Sequence, residues 1–417
     1  MNTDSTPLDP LKLTTQEKSL LWVLAGIQFC NILDFMILMP LGPHMRREFG
    51  IDTAQFGLMV SAYTFAGAIL GLASALFIDK FARKTLLLWI LAGFCMATLA
   101  CALAPNYESM VVARAFAGAF GGVLGSMVMT IAVEIIPPQR RGQGMARVMS
   151  AFALSTVAGV PVGLWLANHT PVLAWRAPFA AVAVLAALFT ALAFFRLPKL
   201  DAHLSVQGQG FAAVVQRIRD TLADANHQRG FALSALIMFS SFTVIPYITL
   251  FITANAKFPE TMLPVMYLLG GAATLLTQPM IGKWSDRAGK LNAFRKILPL
   301  AVLPVLLMTH LGVPFFAEVS PWAVVATSMA FFVLVSGRAT PGFAIIGAGA
   351  NPALRGTFMS LNSSVQSAAM GAAAFLTGHI ISTDAAGLMQ GFNYAGYIAT
   401  VAAVLAWWLS GKIVQRG

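Results

Sequence analysis

Apolar residues fall along this chain in long blocks separated by short polar segments. The first 18 residues (MNTDSTPLDPLKLTTQEK) are polar, and an apolar run then extends from Leu20 to Pro40. About 20 residues at helical rise cross the hydrocarbon of a bilayer, so this run predicts a membrane-spanning helix. Eleven further runs of the same kind lie near Phe56–Ile78, Thr85–Leu103, Met110–Val133, Val148–Leu166, Phe179–Phe195, Phe231–Ile252, Met262–Ile281, Ile297–Phe316, Trp322–Ala348, Phe358–Ile381 and Phe392–Leu409. The pattern predicts an all-α membrane protein with twelve transmembrane helices and both termini on one side. The first run lacks a small-residue cleavage site, so no cleaved signal peptide is expected. The longest polar stretch between runs divides the chain into residues 1–196, a linker at 197–230, and residues 231–417. Within the linker, Phe211, Val214, Val215, Ile218 and Leu222 recur at helical spacing, which predicts an amphipathic helix on the membrane surface.

Composition supports lipid as the solvent: 58% of the 417 residues are hydrophobic and 10% charged, against roughly 25% charged in soluble domains. The formal charge of +11 could suggest a nucleic-acid partner, but its distribution excludes that reading. The segments on the side of the termini hold 21 Lys and Arg, and the opposite loops hold four: Arg46, Arg47, Arg176 and Lys257. That asymmetry follows the positive-inside rule and predicts cytoplasmic termini in the inner membrane. Cys30, Cys95 and Cys101 all lie in apolar runs without CxxC spacing, so neither a disulfide framework nor a metal site is expected. No cofactor is implied.

The two halves carry matching signals. After the second run comes Ala75-Leu-Phe-Ile-Asp79-Lys80-Phe-Ala82-Arg83-Lys84, and after the eighth comes Gly282-Lys-Trp-Ser-Asp286-Arg287-Ala-Gly289-Lys290; the aspartates are 207 residues apart. Pro138-Gln-Arg-Arg141-Gly142 after the fourth run matches Pro352-Ala-Leu-Arg355-Gly356 after the tenth at an offset of 214. These elements resemble the signature loops of the major facilitator superfamily. The resemblance implies two pseudo-symmetric six-helix bundles with a substrate site between them near the membrane midplane. It also implies a cytoplasmic gate, in which Asp79 faces the start of span eleven around Gly356 and Thr357, and Asp286, next to Arg287, faces the start of span five around Gly142 and Gln143. Arg83 would then pair with Glu134.

Among sixteen carboxylates only Asp34 stands well inside a span. A charged Asp near mid-membrane costs about 2.5–3.5 kcal/mol on insertion scales, so it must face a cavity, carry a proton or have a cationic partner. Arg114, a few residues into span four, matches its depth; Arg338 lies farther along span ten. The resemblance places spans one, four, seven and ten around the cavity. Asn31, Phe35, Tyr63, Phe242, Tyr247, Asn362 and Gln366 are further candidates to coat it, along with Arg338. In span five, Gly159, Pro161 and Gly163 predict a kinked, closely packed helix, similar to the Gly-Pro element of the superfamily's exporters. The expected function is proton-coupled efflux of a small amphipathic compound by a monomer, with Asp34 and Arg114 exchanging proton for substrate. An uptake symporter for an organic anion is the alternative. A membrane enzyme or receptor is disfavoured, because no P-loop, Ser-His-Asp set or metal cluster stands out.

Overall fold

The structure, a computed structural model, describes residues 13–74, 76, 78–201, 211–311 and 319–416, apart from the side chains of Asp79, Pro138 and Phe211. The first half runs α1 (Thr15–Ile37), α2 (Gly42–Phe49), α3 (Thr53–Ser74), α4 (Arg83–Leu103), α5 (Tyr107–Ile135), α6 (Arg141–Leu154), α7 (Val160–His169) and α8 (Arg176–Arg196). A linker helix, α9 (Phe211–Ala223), leads to the second half: α10 (Ala225–Phe242), α11 (Ile248–Ala254), α12 (Leu263–Ala288), α13 (Lys290–His310), α14 (Pro321–Gly349), α15 (Arg355–Ile380) and α16 (Phe392–Ser410). A two-residue ribbon, β1 (Ser382–Thr383) with β2 (Met389–Gln390), closes the loop before α16. Hereafter the base is the end at which α1 begins and α16 finishes, and the top is the opposite end.

Local chemistry sets the helix limits. At α1 the Thr14 hydroxyl accepts from the Glu17 amide while the Glu17 carboxylate accepts from the Thr14 amide, a reciprocal cap for two orphan donors. Asn106 and Ser109 form the same box at α5. Asp224 caps α10 by accepting from the Asn226 and His227 amides, so span seven begins six residues earlier than its apolar run. Asn226 and His227 tolerate that burial because they are bonded: Asn226 to Gly349 and Val414, His227 to the Asn351 amide.

Counting α6 with α7 and α10 with α11 as single spans, eleven elements among the described residues are long and apolar enough to cross a membrane. The expected twelfth, Phe358–Ile381, forms as α15 but lacks that apolarity, since Asn362, Ser363, Ser364, Gln366 and Ser367 interrupt it. Of this row Asn362 is buried, Ser363 exposed and the other three partly exposed, and the most extensive interhelical contact among the described residues is between α15 and α3. The internal repeat is visible in burial as well as in motifs. Residues 21–30 of α1 and 231–240 of α10 follow the same order of buried, partly buried and exposed positions, at an offset of 210.

Two antiparallel seams join the halves. Along the first, Thr53 meets Ile381, Gly57 lies against Ala374 and Gly378, Gly371 against Thr64, and Gly71 against Ser364. The second sets α12 against span five where the α-helix is interrupted by a π turn, Ser155–Gly159, directly before Val160 and Pro161. Pro161 has no amide hydrogen to continue the ladder, and the extra residue of a π turn absorbs the loss. Gly271 of α12 approaches Thr156 and Val157 in this turn. On the other side, Gly159 and Gly163 let the same span close on Leu33 and Ile37 of α1.

Within the first half, a Cβ on Gly118 would stand 2.0 Å from the Tyr63 carbonyl oxygen. Backbone cannot yield as a side chain can, so Gly118→Val should exceed the ~1–3 kcal/mol usual for overpacking. The expected result is a lowered thermal unfolding midpoint of the detergent-solubilised protein, checked by scanning fluorimetry.

Candidate functional site

The end of α1 builds the site. Its last carbonyls lack intrahelical donors, as at every helix C-terminus, and the final turn tightens, with the Leu38 amide bonding to Met36. The Asp34 carbonyl is thereby freed. Arg114 Nη1 of α5 donates to that carbonyl oxygen at 3.0 Å and to Asp34 Oδ2 at 3.0 Å. Both side chains are wholly enclosed, at 0% exposure each. The guanidinium lies over the Tyr63 ring, 4.3 Å from its centroid, and 6.0 Å from that of Phe179. Tyr63 donates through its hydroxyl to Asn31 Oδ1 (3.2 Å), and Asn31 Nδ2 donates to the Gly121 carbonyl (3.2 Å). Three helices, α1, α3 and α5, thus contribute to one buried polar string inside the first half, with the apolar Phe179 ring of α8 beside it.

That string is incompletely satisfied. Asp34 Oδ1, Arg114 Nε and Arg114 Nη2 are buried and make no well-formed hydrogen bond, and the Thr98 hydroxyl of α4, which faces the Asp34 carboxylate, is in the same condition. Unmet donors and acceptors in a low dielectric are costly, so the arrangement is stable only as long as nothing better is offered.

Several residues expected to coat a cavity are enclosed in this state. Asn31, Tyr63, Tyr247, Arg338 and Asn362 are buried, because each polar tip turns into its own bundle or onto a helix seam. Tyr247 donates to the Ala374 carbonyl at 2.6 Å. Asn362 Oδ1 is buried without a partner. Arg338 donates from Nη2 to Ser240 Oγ (3.2 Å) and Ser241 Oγ (3.0 Å) of α10. Phe35, Phe242 and Gln366 remain partly exposed. Phe35 of α1 and Phe242 of α10 stack across the halves at 5.7 Å, and Phe35 also meets Tyr63 at 5.3 Å. Gln28, not singled out in the sequence, belongs with them: it shares a partly exposed stripe of α1 with Phe29, Ile32 and Phe35, and its Oε1 is unpartnered. Its period was the available signal.

The top of the molecule is closed. Arg47 holds Glu260 through two parallel hydrogen bonds, one of 2.9 Å from Nη2 to Oε2, and Arg46 Nη2 reaches Thr383 Oγ1 at 3.1 Å. Thr53 Oγ1 donates to the Ile381 carbonyl. The base is parted. The resemblance pairs Asp79 with the start of α15 at Gly356 and Asp286 with the start of span five at Gly142. Yet a Cβ on Gly142, Gly282 or Gly356 would meet nothing within 4 Å. Asp286 and Arg287 are exposed, and the Asp79 side chain lies outside the described residues. The expected gate contacts are therefore not formed at Asp286. Arg83 Nε donates to Glu134 Oε1 at 3.1 Å, and its Nη1 to the Ile78 carbonyl, so this pair braces the loop within its own half.

Comparison with known proteins agrees with this architecture. The sequence profile of the Major Facilitator Superfamily matches residues 24–374. The chain is 30% identical over 217 residues to the uncharacterized MFS-type transporter YhcA of Bacillus subtilis (strain 168), covering 49% of this chain and 40% of YhcA. The match to YceJ of the same organism also spans 40% of that protein, so the chain spans about two fifths of these relatives. The inner membrane transport protein YdhP of Escherichia coli (strain K12) is 24% identical, with 88% of each chain covered. Among solved structures, the inward open conformation of the xylose transporter XylE from E. coli superposes with a TM-score of 0.73 at 16% identity, covering 96% of each chain. The nucleoside transporter NupG gives 0.75 at 14% identity, covering 96% of this chain and all of that one. These last two likenesses concern the fold. With its profile matched over most of its length and eleven helices among the described residues long and apolar enough to cross a membrane, the chain belongs to the Major Facilitator Superfamily.

Proposed function

We propose that this transporter exports small amphipathic or hydrophobic compounds in exchange for protons, as a monomer in the inner membrane with the base in the cytoplasm. The observation that carries the reading is the enclosed Asp34–Arg114 pair with three of its polar atoms unused. A buried ion pair is a poor stabiliser when apolar residues would pack as well, so its presence calls for a use. With the top closed, Arg114 holds the Asp34 carboxylate at 3.0 Å. Parting the halves at the top would admit water beside Tyr63 and Phe35, loosen the pair and let Asp34 take a proton; reclosure would return Arg114 and expel it. Inward proton movement supplies about 2.3 kcal/mol per 100 mV of membrane potential. The excess of Lys and Arg at the base supports the orientation. The Gly159-Val-Pro161 element with its π turn supports efflux, since it places a deformable joint on the seam between halves.

The test uses everted membrane vesicles energised to an acid interior and followed with a pH-sensitive dye. Under this reading, adding substrate outside releases protons from vesicles that contain the transporter and not from vesicles without it. An uptake symporter, the reading that the buried Arg338 favours, gives no such release when the lumen is free of substrate.

A further inference from the structure

We propose that the compound carried is an amphipathic organic anion, whose negative group is held by Arg338 while its apolar body lies on the aromatic wall between α1 and α10. This deepens the transport reading above and rests on it.

The argument begins with charge. Among the described residues, three Asp, Glu, Lys or Arg side chains lie deep within the spans, away from the helix ends: Asp34, Arg114 and Arg338. The first two cancel at 3.0 Å. Arg338 has no such partner among the described residues: of the acids that follow Gly230, Glu260 pairs with Arg47 and Asp286 and Asp384 are exposed. The membrane interior therefore keeps one uncompensated positive charge, on a side chain that is 1% exposed.

Hydrogen bonding does not repair this. The Ser240 hydroxyl donates to the Ala399 carbonyl (2.7 Å) and the Ser241 hydroxyl to the Ile237 carbonyl (2.9 Å). Both serines have spent their protons, so their oxygens are fixed as acceptors facing Arg338 Nη2. They orient the guanidinium but contribute no charge. Nε is buried with no partner. An oriented guanidinium with unused donors and no counter-charge has the fork geometry that pairs with a carboxylate through two parallel hydrogen bonds. Such a group is costly to keep in the membrane interior unless a ligand supplies the anion.

Position supplies the rest of the ligand. Ser241 is followed on α10 by Phe242, which stacks on Phe35 across the halves, with Phe29 partly exposed on the same stripe of α1. A flat apolar body bearing one carboxylate thus matches an aromatic surface beside a cation. A cationic amphiphile of the same shape would meet like charge with no acid to offset it.

The experiment measures equilibrium binding to the full-length protein in nanodiscs by isothermal titration, with three probes of one shape: 2-naphthoate, 2-naphthalenemethanol and 2-naphthylmethylammonium. The naphthoate is expected to bind at least tenfold more tightly than the alcohol, and the ammonium more weakly than both. Arg338→Gln is expected to remove the preference for naphthoate and leave the alcohol's affinity within twofold, whereas Arg338→Lys retains part of the preference. Equal binding of the three probes, preference for the ammonium, or no saturable naphthoate binding to the unmodified protein overturns the proposal without recourse to any variant. So does an undiminished naphthoate preference in Arg338→Gln. Binding is read separately from proton release, so loss of proton exchange with an intact naphthoate preference would sink the coupling and leave the anion site standing.

Discussion

Replacing Asp34 with asparagine is expected to reduce substrate-driven proton exchange to background while leaving a folded protein. Asparagine keeps the shape, and the main-chain carbonyl of residue 34 still accepts from Arg114 Nη1, as it does at 3.0 Å in the unmodified chain. The variant loses the one carboxylate that the sequence places well inside a span, away from its ends. The converse change, like the first, leaves one enclosed charge without its partner. Arg114→Gln leaves the Asp34 carboxylate enclosed with no cation, a defect that typically costs about 3–5 kcal/mol. Joining the two substitutions should recover much of that loss, because two neutral amides side by side carry no buried charge; the pair is expected to be strongly non-additive in thermal unfolding. Proton exchange is read with the pH dye in everted vesicles. Exchange at the unmodified rate in Asp34→Asn would remove that carboxylate from the coupling, and additive destabilisation would mean that the pair does not act as a unit.

The second large effect is expected at the seam that shuts the top. A Cβ on Gly57 would stand 2.3 Å from Tyr247 Oη and 2.8 Å from the Ala374 carbonyl oxygen. Tyr247 and Ala374 are themselves joined by the 2.6 Å hydrogen bond, and Phe56 packs edge-on against the Tyr247 ring. Gly57→Val therefore forces α3 away from α15 in the state with the top closed, and costs nothing there once the halves have parted. Overpacking of ~1–3 kcal/mol, applied to one side of a two-state equilibrium, shifts populations by roughly 5–150-fold. Transport should fall to background with the protein still folded, and a cysteine at Phe242, in a background lacking Cys30, Cys95 and Cys101, should become reactive to a membrane-impermeant thiol reagent added at the top. Normal transport by Gly57→Val would mean that this seam need not close.

Much of the architecture is legible in the sequence because lipid imposes a one-dimensional rule. Apolar runs, their polar punctuation and the paired loops around Asp79 and Asp286 yield helices, halves and repeat directly. Asp34 is conspicuous because carboxylates are so costly inside a span that one survivor stands out, and Arg114 because it shares its depth. The facing of side chains is another matter. Hydropathy records that Tyr63, Asn31 and Arg338 lie in spans but not that each turns inward to its own bundle, nor that Ser240 and Ser241 wait for Arg338. Helix α15 shows the opposite failure: its polar row lowers hydropathy, yet the helix forms and packs along α3. Arg47 counts in the sequence merely as an exception to the charge asymmetry; its role in closing the top against Glu260 depends on a contact 213 residues away in the chain.

The central claim is that the two halves close alternately at the base and at the top. Its most direct measurement is electron–electron spin resonance on two label pairs in the cysteine-free background: Arg147→Cys with Lys283→Cys across the base, and Glu108→Cys with Ala385→Cys across the top. In the unmodified transporter the base pair should be distributed toward long distances and the top pair toward short ones. With Gly57→Val added, the base distance should shorten while the top distance lengthens. Movement of both pairs in the same direction, or of one without the other, would contradict the account.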